Sequence, residues 1–127
     1  MKTILVDALH TFIIKGQGIF KEMCSLLEEY PNTKIILTNA DDKQMDIFGL
    51  SNLPYRVFTL KHNPDKTNPN YYKIMIKELS LEAEELLYFE HDLKSVEAAR
   101  SVGINTYHYN SEQQDLNALK IFLDQNI

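Results

Sequence analysis

The residues of this sequence best suited to chemistry stand at the ends of its apolar runs. Asp7 closes Thr3-Ile4-Leu5-Val6, and a carboxylate so placed can act as a nucleophile or hold a cation. Thr38 ends a second run, Lys34-Ile35-Ile36-Leu37, and with Asn39 it offers a hydroxyl and an amide to ligand oxygens. Lys66 brings an ammonium group from a polar, proline-bearing loop between Asn63 and Asn70. Glu90, His91 and Asp92 follow a third run, Glu85-Leu86-Leu87-Tyr88-Phe89. Each alone has an ordinary explanation: an aspartate after a strand forms turns, Thr-Asn ahead of Asp41-Asp42 caps a helix, and a loop lysine is solvated. Together they supply a carboxylate, hydroxyl and amide donors, an ammonium and further acids, which is what an aspartyl-phosphate site needs.

The elements that must position these groups follow from the hydrophobic pattern. Short, unbroken apolar runs suit strands buried on both faces, and predict strands over 3–6, 34–38 and 85–89, with weaker ones over 56–59 and 105–109. Between them, apolar residues recur at helical spacing. Ile19, Phe20, Met23, Leu26, Leu27 and Tyr30 form one stripe, stopped by Pro31. Tyr72, Met75, Ile76 and Leu79 form another behind Asn68-Pro69, which places proline in the first turn. Leu93, Val96, Ala99 and Val102 make a third, closed by Gly103. Leu116, Leu119, Phe122 and Leu123 make the last, with Ser111 as its expected N-cap and Glu112 in the first turn. Strands alternating with helices imply a parallel sheet covered on both faces, with ligands beyond the carboxyl ends of the strands. Asp7, Thr38, Lys66 and Glu90 are therefore expected on one rim.

Composition narrows the function classes. A length of 127 residues suits a single domain spanning 1–127. No apolar run approaches the ~20 residues that span a bilayer, and the N-terminus lacks the features of an export signal, so a cytoplasmic location is expected. A formal charge of -5, with basic residues scattered among acidic ones, argues against a nucleic-acid surface. Cys24 is the single cysteine, which excludes an intrachain disulfide and reads as a core residue.

The order and surroundings of the polar residues resemble the haloacid dehalogenase superfamily, nearly end to end. Its first motif, an apolar strand ending in Asp followed by a variable residue, usually Asp, then Gly-Thr, is matched by Ile4-Leu5-Val6-Asp7-Ala8-Leu9-His10-Thr11. Its second, a strand ending in Thr or Ser and often Asn, is matched by Ile36-Leu37-Thr38-Asn39. Lys66-Thr67-Asn68-Pro69-Asn70-Tyr71-Tyr72 is similar to its third, with Thr67 in place of a proline. Leu87-Tyr88-Phe89-Glu90-His91-Asp92 and the alanine-bearing stretch to Gly103 are similar to its fourth. The resemblance implies a capless three-layer α/β/α sandwich with a central parallel, Rossmann-like sheet, whose middle strand carries Asp7 between the Thr38 and Glu90 strands. It also implies a phosphohydrolase: Asp7 as nucleophile, Thr38, Asn39 and Lys66 on the phosphoryl oxygens, and Mg²⁺ held by Asp7, the Leu9 backbone carbonyl, Glu90 and, after a one-residue shift, Asp92. The expected ligand is a phosphorylated small molecule or a protein partner.

The sequence departs from that pattern at two positions. Leu9 stands where the family's acid–base Asp is expected and has no proton to give, a contribution worth roughly 10²- to 10⁴-fold. His91 stands at the usual carboxylate ligand, and a hard cation prefers oxygen. Two readings follow, a weak or specialised phosphohydrolase and a catalytically degenerate binding or regulatory module. His10 and His91, if they face each other beside Asp7, suit a borderline ion such as Zn²⁺ better than Mg²⁺. The family's dehalogenases need neither the second Asp nor a metal, but they enclose the substrate under a cap that the spacing of the motifs here leaves no room for. Without a metal between them, Asp7 and Glu90 repel, so Asp7→Asn is expected to relieve strain.

Overall fold

The computed structural model describes all 127 residues. In chain order it runs β1 (Thr3–Asp7), a small antiparallel hairpin of β2 (Ile13–Ile14) and β3 (Gly18–Ile19), and α1 (Lys21–Glu28). Then come β4 (Lys34–Thr38), α2 (Asp42–Ile47), a 3₁₀ turn (Leu50–Asn52), β5 (Arg56–Thr59) and α3 (Pro69–Glu78). A second 3₁₀ turn (Ala83–Glu85) leads into β6 (Leu86–Glu90), α4 (Leu93–Ser101), β7 (Asn105–His108) and α5 (Leu116–Asn126). The five long strands form one parallel sheet in the order β5-β4-β1-β6-β7, with β1 in the middle. The sheet lies between two helical layers, a Rossmann-like sandwich with no cap.

Strand alternation builds the two cores. Ile4 and Val6 point to one face, where they join Met23 and Leu27 of α1 and Leu119 and Leu123 of α5. Leu5 points to the other, among Tyr71, Tyr72 and Met75 of α3 and Ala98 and Ala99 of α4. A strand buried on both faces has no use for polar residues along its length, so its first carboxylate comes at its end. The register pairs Asp7 with Leu37 and Val6 with Phe89, which sets Thr38 one step beyond Asp7 and Glu90 level with it.

Helix starts follow local hydrogen bonding. Asn68 caps α3 with proline at the first position, and Gly103, at φ +91°, ends the turn after α4. The last helix begins later than its sequence suggested. Asp115, not Ser111, is its cap and accepts from Ala118 N at 3.0 Å, because Gln114 has φ +50° and breaks any helical path from Ser111. The β2–β3 hairpin carries no strong periodicity and was not expected, and α2, which the Thr-Asn pair ahead of Asp41-Asp42 hinted at, is capped by Asp41 and not by Thr38 or Asn39. The helix α2 is held by a capping box, Gln44 N to Asp41 Oδ1 at 2.9 Å and Asp41 N to Gln44 Oε1 at 3.0 Å. No helix is long and apolar enough to cross a membrane.

Candidate active site

The carboxyl ends of β1, β4 and β6 and the loop before α3 converge on a cavity of about 360 Å³. Asp7, Thr38, Asn39, Lys66 and Glu90 all line it, together with Leu9, His91 and Asp92. At its floor, Lys66 Nζ stands 2.6 Å from Asp7 Oδ1 and 2.7 Å from Glu90 Oε1, with the Leu37 carbonyl at 3.3 Å. All three charged residues are buried, Lys66 at 6% exposure and Glu90 at 0%. Burying an unpaired charge is prohibitive, so the bridge is the condition for these groups being inside at all.

The second oxygen of Asp7 is equally occupied. Thr11 Oγ1 donates to Asp7 Oδ2 at 2.6 Å, His91 Nδ1 lies 2.5 Å from it, and the His91 backbone N–H donates at 3.3 Å. On Glu90, Oε1 accepts from Tyr88 Oη at 2.5 Å, while Oε2 accepts from Asp92 N at 3.0 Å and faces His91 Nδ1 at 3.2 Å. Neither Thr11 nor Tyr88 stood out from the sequence as a site residue. A Thr four residues after Asp7 and a Tyr two residues before Glu90, on its face of the strand, were the available signals.

These contacts move the ionisation of Asp7, Lys66 and His91. The hydrogen bonds of His91 to Asp7 and Glu90 outweigh its burial and push the imidazole up to about 10. Burial would raise Asp7, but Lys66 and His91 beside it hold the carboxyl below its usual range. Burial would lower Lys66, but Asp7 and Glu90 keep its ammonium well above its ordinary value. At neutral pH the Asp7 carboxylate therefore faces two cations, Lys66 and His91.

Asn39 acts first on the loop. Its Oδ1 accepts from Lys66 N at 2.7 Å and so fixes where the lysine side chain starts. Thr38 Oγ1 accepts from Ala40 N at 3.2 Å and the residue is 7% exposed. Leu9 contributes an apolar side chain to the wall. Asp92 is placed apart from the carboxylate pair. Its Oδ2 accepts from Ser95 N at 3.0 Å and Ser95 Oγ at 2.9 Å, because it is the N-cap of α4. His10, at φ +70°, sets its ring 5.3 Å from that of His91, edge to face. Gln44, His62 and Thr67, which the sequence did not single out, complete the wall.

Asp7, Glu90 and His91 each bring a ligand atom within 4.8 Å of the others and so form a possible cation-binding group. Mg²⁺ is held through one or two carboxylates with waters completing its octahedron, and Asp7 and Glu90 supply two carboxylates. The third donor, His91, is an imidazole, which a hard cation takes poorly, and its Nδ1 faces both carboxylates.

No protein-family model and no curated protein sequence matches the chain. Solved structures do. A haloacid dehalogenase family enzyme from Bacteroides thetaiotaomicron, in a magnesium complex, superposes with a TM-score of 0.72 at 11% identity over 94% of this chain and 98% of that one. The D,D-heptose 1,7-bisphosphate phosphatase of B. bronchiseptica, with magnesium and phosphate, gives 0.70 at 14% identity over 100% of both chains. A haloacid dehalogenase-like protein of Agrobacterium tumefaciens gives 0.61 at 14% identity, over 84% of this chain and 61% of that one. With Asp7 at the tip of the central strand and no domain inserted above it, this chain has the fold of the haloacid dehalogenase core, without a cap.

Proposed function

We propose that this domain binds phosphate monoesters over Asp7 and hydrolyses them slowly, without Mg²⁺. The observation that carries the reading is the closed charge set at the cavity floor: Lys66 between Asp7 and Glu90, with His91 on both carboxylates. Thr38 Oγ1 and the Asn39 amide are suited to donate to phosphoryl oxygens, and the charge of Lys66 offsets theirs while its three protons are held by Asp7, Glu90 and the Leu37 carbonyl. Turnover starts with an Asp7 oxygen forming a bond to phosphorus while the ester P–O bond breaks and its electron pair leaves on the departing oxygen. Water then attacks the phosphoaspartate and releases phosphate. Both steps want an acid–base group, and Leu9 supplies none, which limits the rate. The structural likeness to phosphatases supports the reading, but the fold alone does not carry an activity.

The same contacts favour a second reading, binding without turnover. Attack requires an Asp7 oxygen to give up a hydrogen bond to Lys66, Thr11 or His91. A screen of phosphate monoesters with and without Mg²⁺, with Asp7→Asn as control, separates the two. Slow, Mg²⁺-indifferent hydrolysis that disappears in Asp7→Asn supports the first. Phosphate binding with no hydrolysis leaves the second, and brisk hydrolysis requiring Mg²⁺ overturns both.

A further inference from the structure

Beside the cavity over Asp7 lies a second, apolar groove of about 410 Å³. Its walls are Leu9, the β2–β3 hairpin with Ile13 and Ile14, and the end of α2 with Ile47 and Phe48. Lys15 is the one charged residue on it. Leu9 and Phe48 line the cavity as well, so a molecule bonded to a phosphate over Asp7 reaches the groove across these two residues. The hairpin fixes the shared wall. Leu9 bridges to Ile13, and His10 N donates to the Ile13 carbonyl at 2.8 Å. Ile13 is buried, whereas Ile47 is 64% exposed and stays in water unless something covers it.

Leu9 decides a second property of the same ligand. When Asp7 attacks phosphorus, the ester oxygen departs with the electron pair of the P–O bond, and Leu9 has no proton to give it. The polar side chains nearby are committed elsewhere. Asp92 accepts from Ser95, His91 turns Nδ1 to both carboxylates, and both ring nitrogens of His62 are bonded. An oxygen that departs as a stable anion needs no such proton. A phenol, which ionises at about 10, provides one, whereas an aliphatic alcohol is a far weaker acid. An aromatic ring is also the kind of group that an apolar groove takes.

We propose that the groove holds the leaving group and that the preferred substrate is an aryl phosphate. Asp7 forms the bond to phosphorus, the aryl P–O bond breaks, and the phenolate leaves and takes its proton from water. Water then releases phosphate from Asp7. The inference rests on the phosphohydrolase reading above and names the substrate class of that site.

The test compares phenyl, cyclohexyl and methyl phosphate on wild type, Ile47→Asn and Leu9→Asp. Cyclohexyl and methyl phosphate share a poor leaving group and differ in apolar bulk. Phenyl and cyclohexyl phosphate are similar in bulk and differ in leaving group. Calorimetric titration should show wild type binding cyclohexyl phosphate at least about tenfold more tightly than methyl phosphate. By phosphate release, kcat/KM for phenyl phosphate should exceed that for cyclohexyl phosphate at least about 10²-fold. Ile47→Asn, at an exposed position, should cut the affinity ratio at least about threefold. Leu9→Asp supplies the acid and should narrow the kcat/KM ratio, in which any damage to the groove cancels. If methyl phosphate binds as tightly as cyclohexyl phosphate, or phenyl and cyclohexyl phosphate turn over alike, this inference falls while the phosphate reading stands. It falls in the same way if either variant leaves its ratio unchanged. If none of the esters is hydrolysed, the inference falls together with the phosphohydrolase reading.

Discussion

The ammonium of Lys66 lies 2.6 Å from Oδ1 of Asp7, a contact across 59 positions of sequence made by two residues with almost no exposure to water. It also reaches Glu90, so one cation holds two buried carboxylates. Lys66→Met leaves both without their shared partner. Removing one member of a buried ion pair costs about 3–5 kcal/mol, and the loss should appear in urea denaturation at pH 7. A loss within experimental error would mean the three groups are solvated in solution.

Asp7→Asn reads differently from structure than from sequence. The repulsion expected between Asp7 and Glu90 does not stand alone, since Lys66 and His91 face the pair. Removing the Asp7 charge leaves two cations on one carboxylate, so the variant should melt below wild type, not above it. A raised midpoint in metal-free buffer would show that His91 is uncharged there.

His91 makes stability depend on alkaline pH. The folded state holds its proton up to about 10, against 6.5 for the ordinary imidazole, so the folded chain binds more protons between those values. Stability gained from His91 is complete below about pH 6.5 and falls as pH rises through about 10. The difference in unfolding free energy between wild type and His91→Gln should therefore be largest in the acidic part of the neutral range and shrink toward pH 10. A difference that grows with pH contradicts the assignment.

Magnesium should be without effect on the wild type. In thermal melts, millimolar Mg²⁺ and a chelator should give the same midpoint, because ligand-induced stabilisation needs a site that binds. His91→Asp restores an oxygen donor and removes the internal cation, and its midpoint should rise by a few degrees on adding Mg²⁺. Clear stabilisation of the wild type by Mg²⁺ would return the site to the metal-dependent pattern.

Leu9→Asp, alone or with His91→Asp, tests what limits turnover. Supplying an acid–base group should raise hydrolysis of a phosphate monoester at least about 10²-fold over wild type. Steady-state rates of the single and double variants decide whether the missing group is the proton donor alone.

How much of this was legible in the sequence depends on the range of the physics involved. Asp7, Thr38 and Glu90 were recognisable because a strand buried on both faces excludes polar side chains until it ends, a purely local rule. The same locality made Asn68-Pro69 and Gly103 readable as helix boundaries, and it failed at Ser111, where the positive φ of Gln114 overrides a good capping residue. A helix as short as α2 buries no apolar stripe, so only its capping box could have announced it.

What only the tertiary structure decided is which polar group meets which. The sequence shows that Lys66 is a cation in a loop. That Asn39 anchors its backbone, and that its ammonium sits between Asp7 and Glu90, depends on three strands being neighbours in register. Thr11 and Tyr88 complete the shell for the same reason, each donating to a carboxylate that only folding buries. His91 is the clearest case. From its type alone it is a poor ligand for a hard cation. Packed against Asp7 and Glu90, where burial weakens screening by water, it is held as a cation itself.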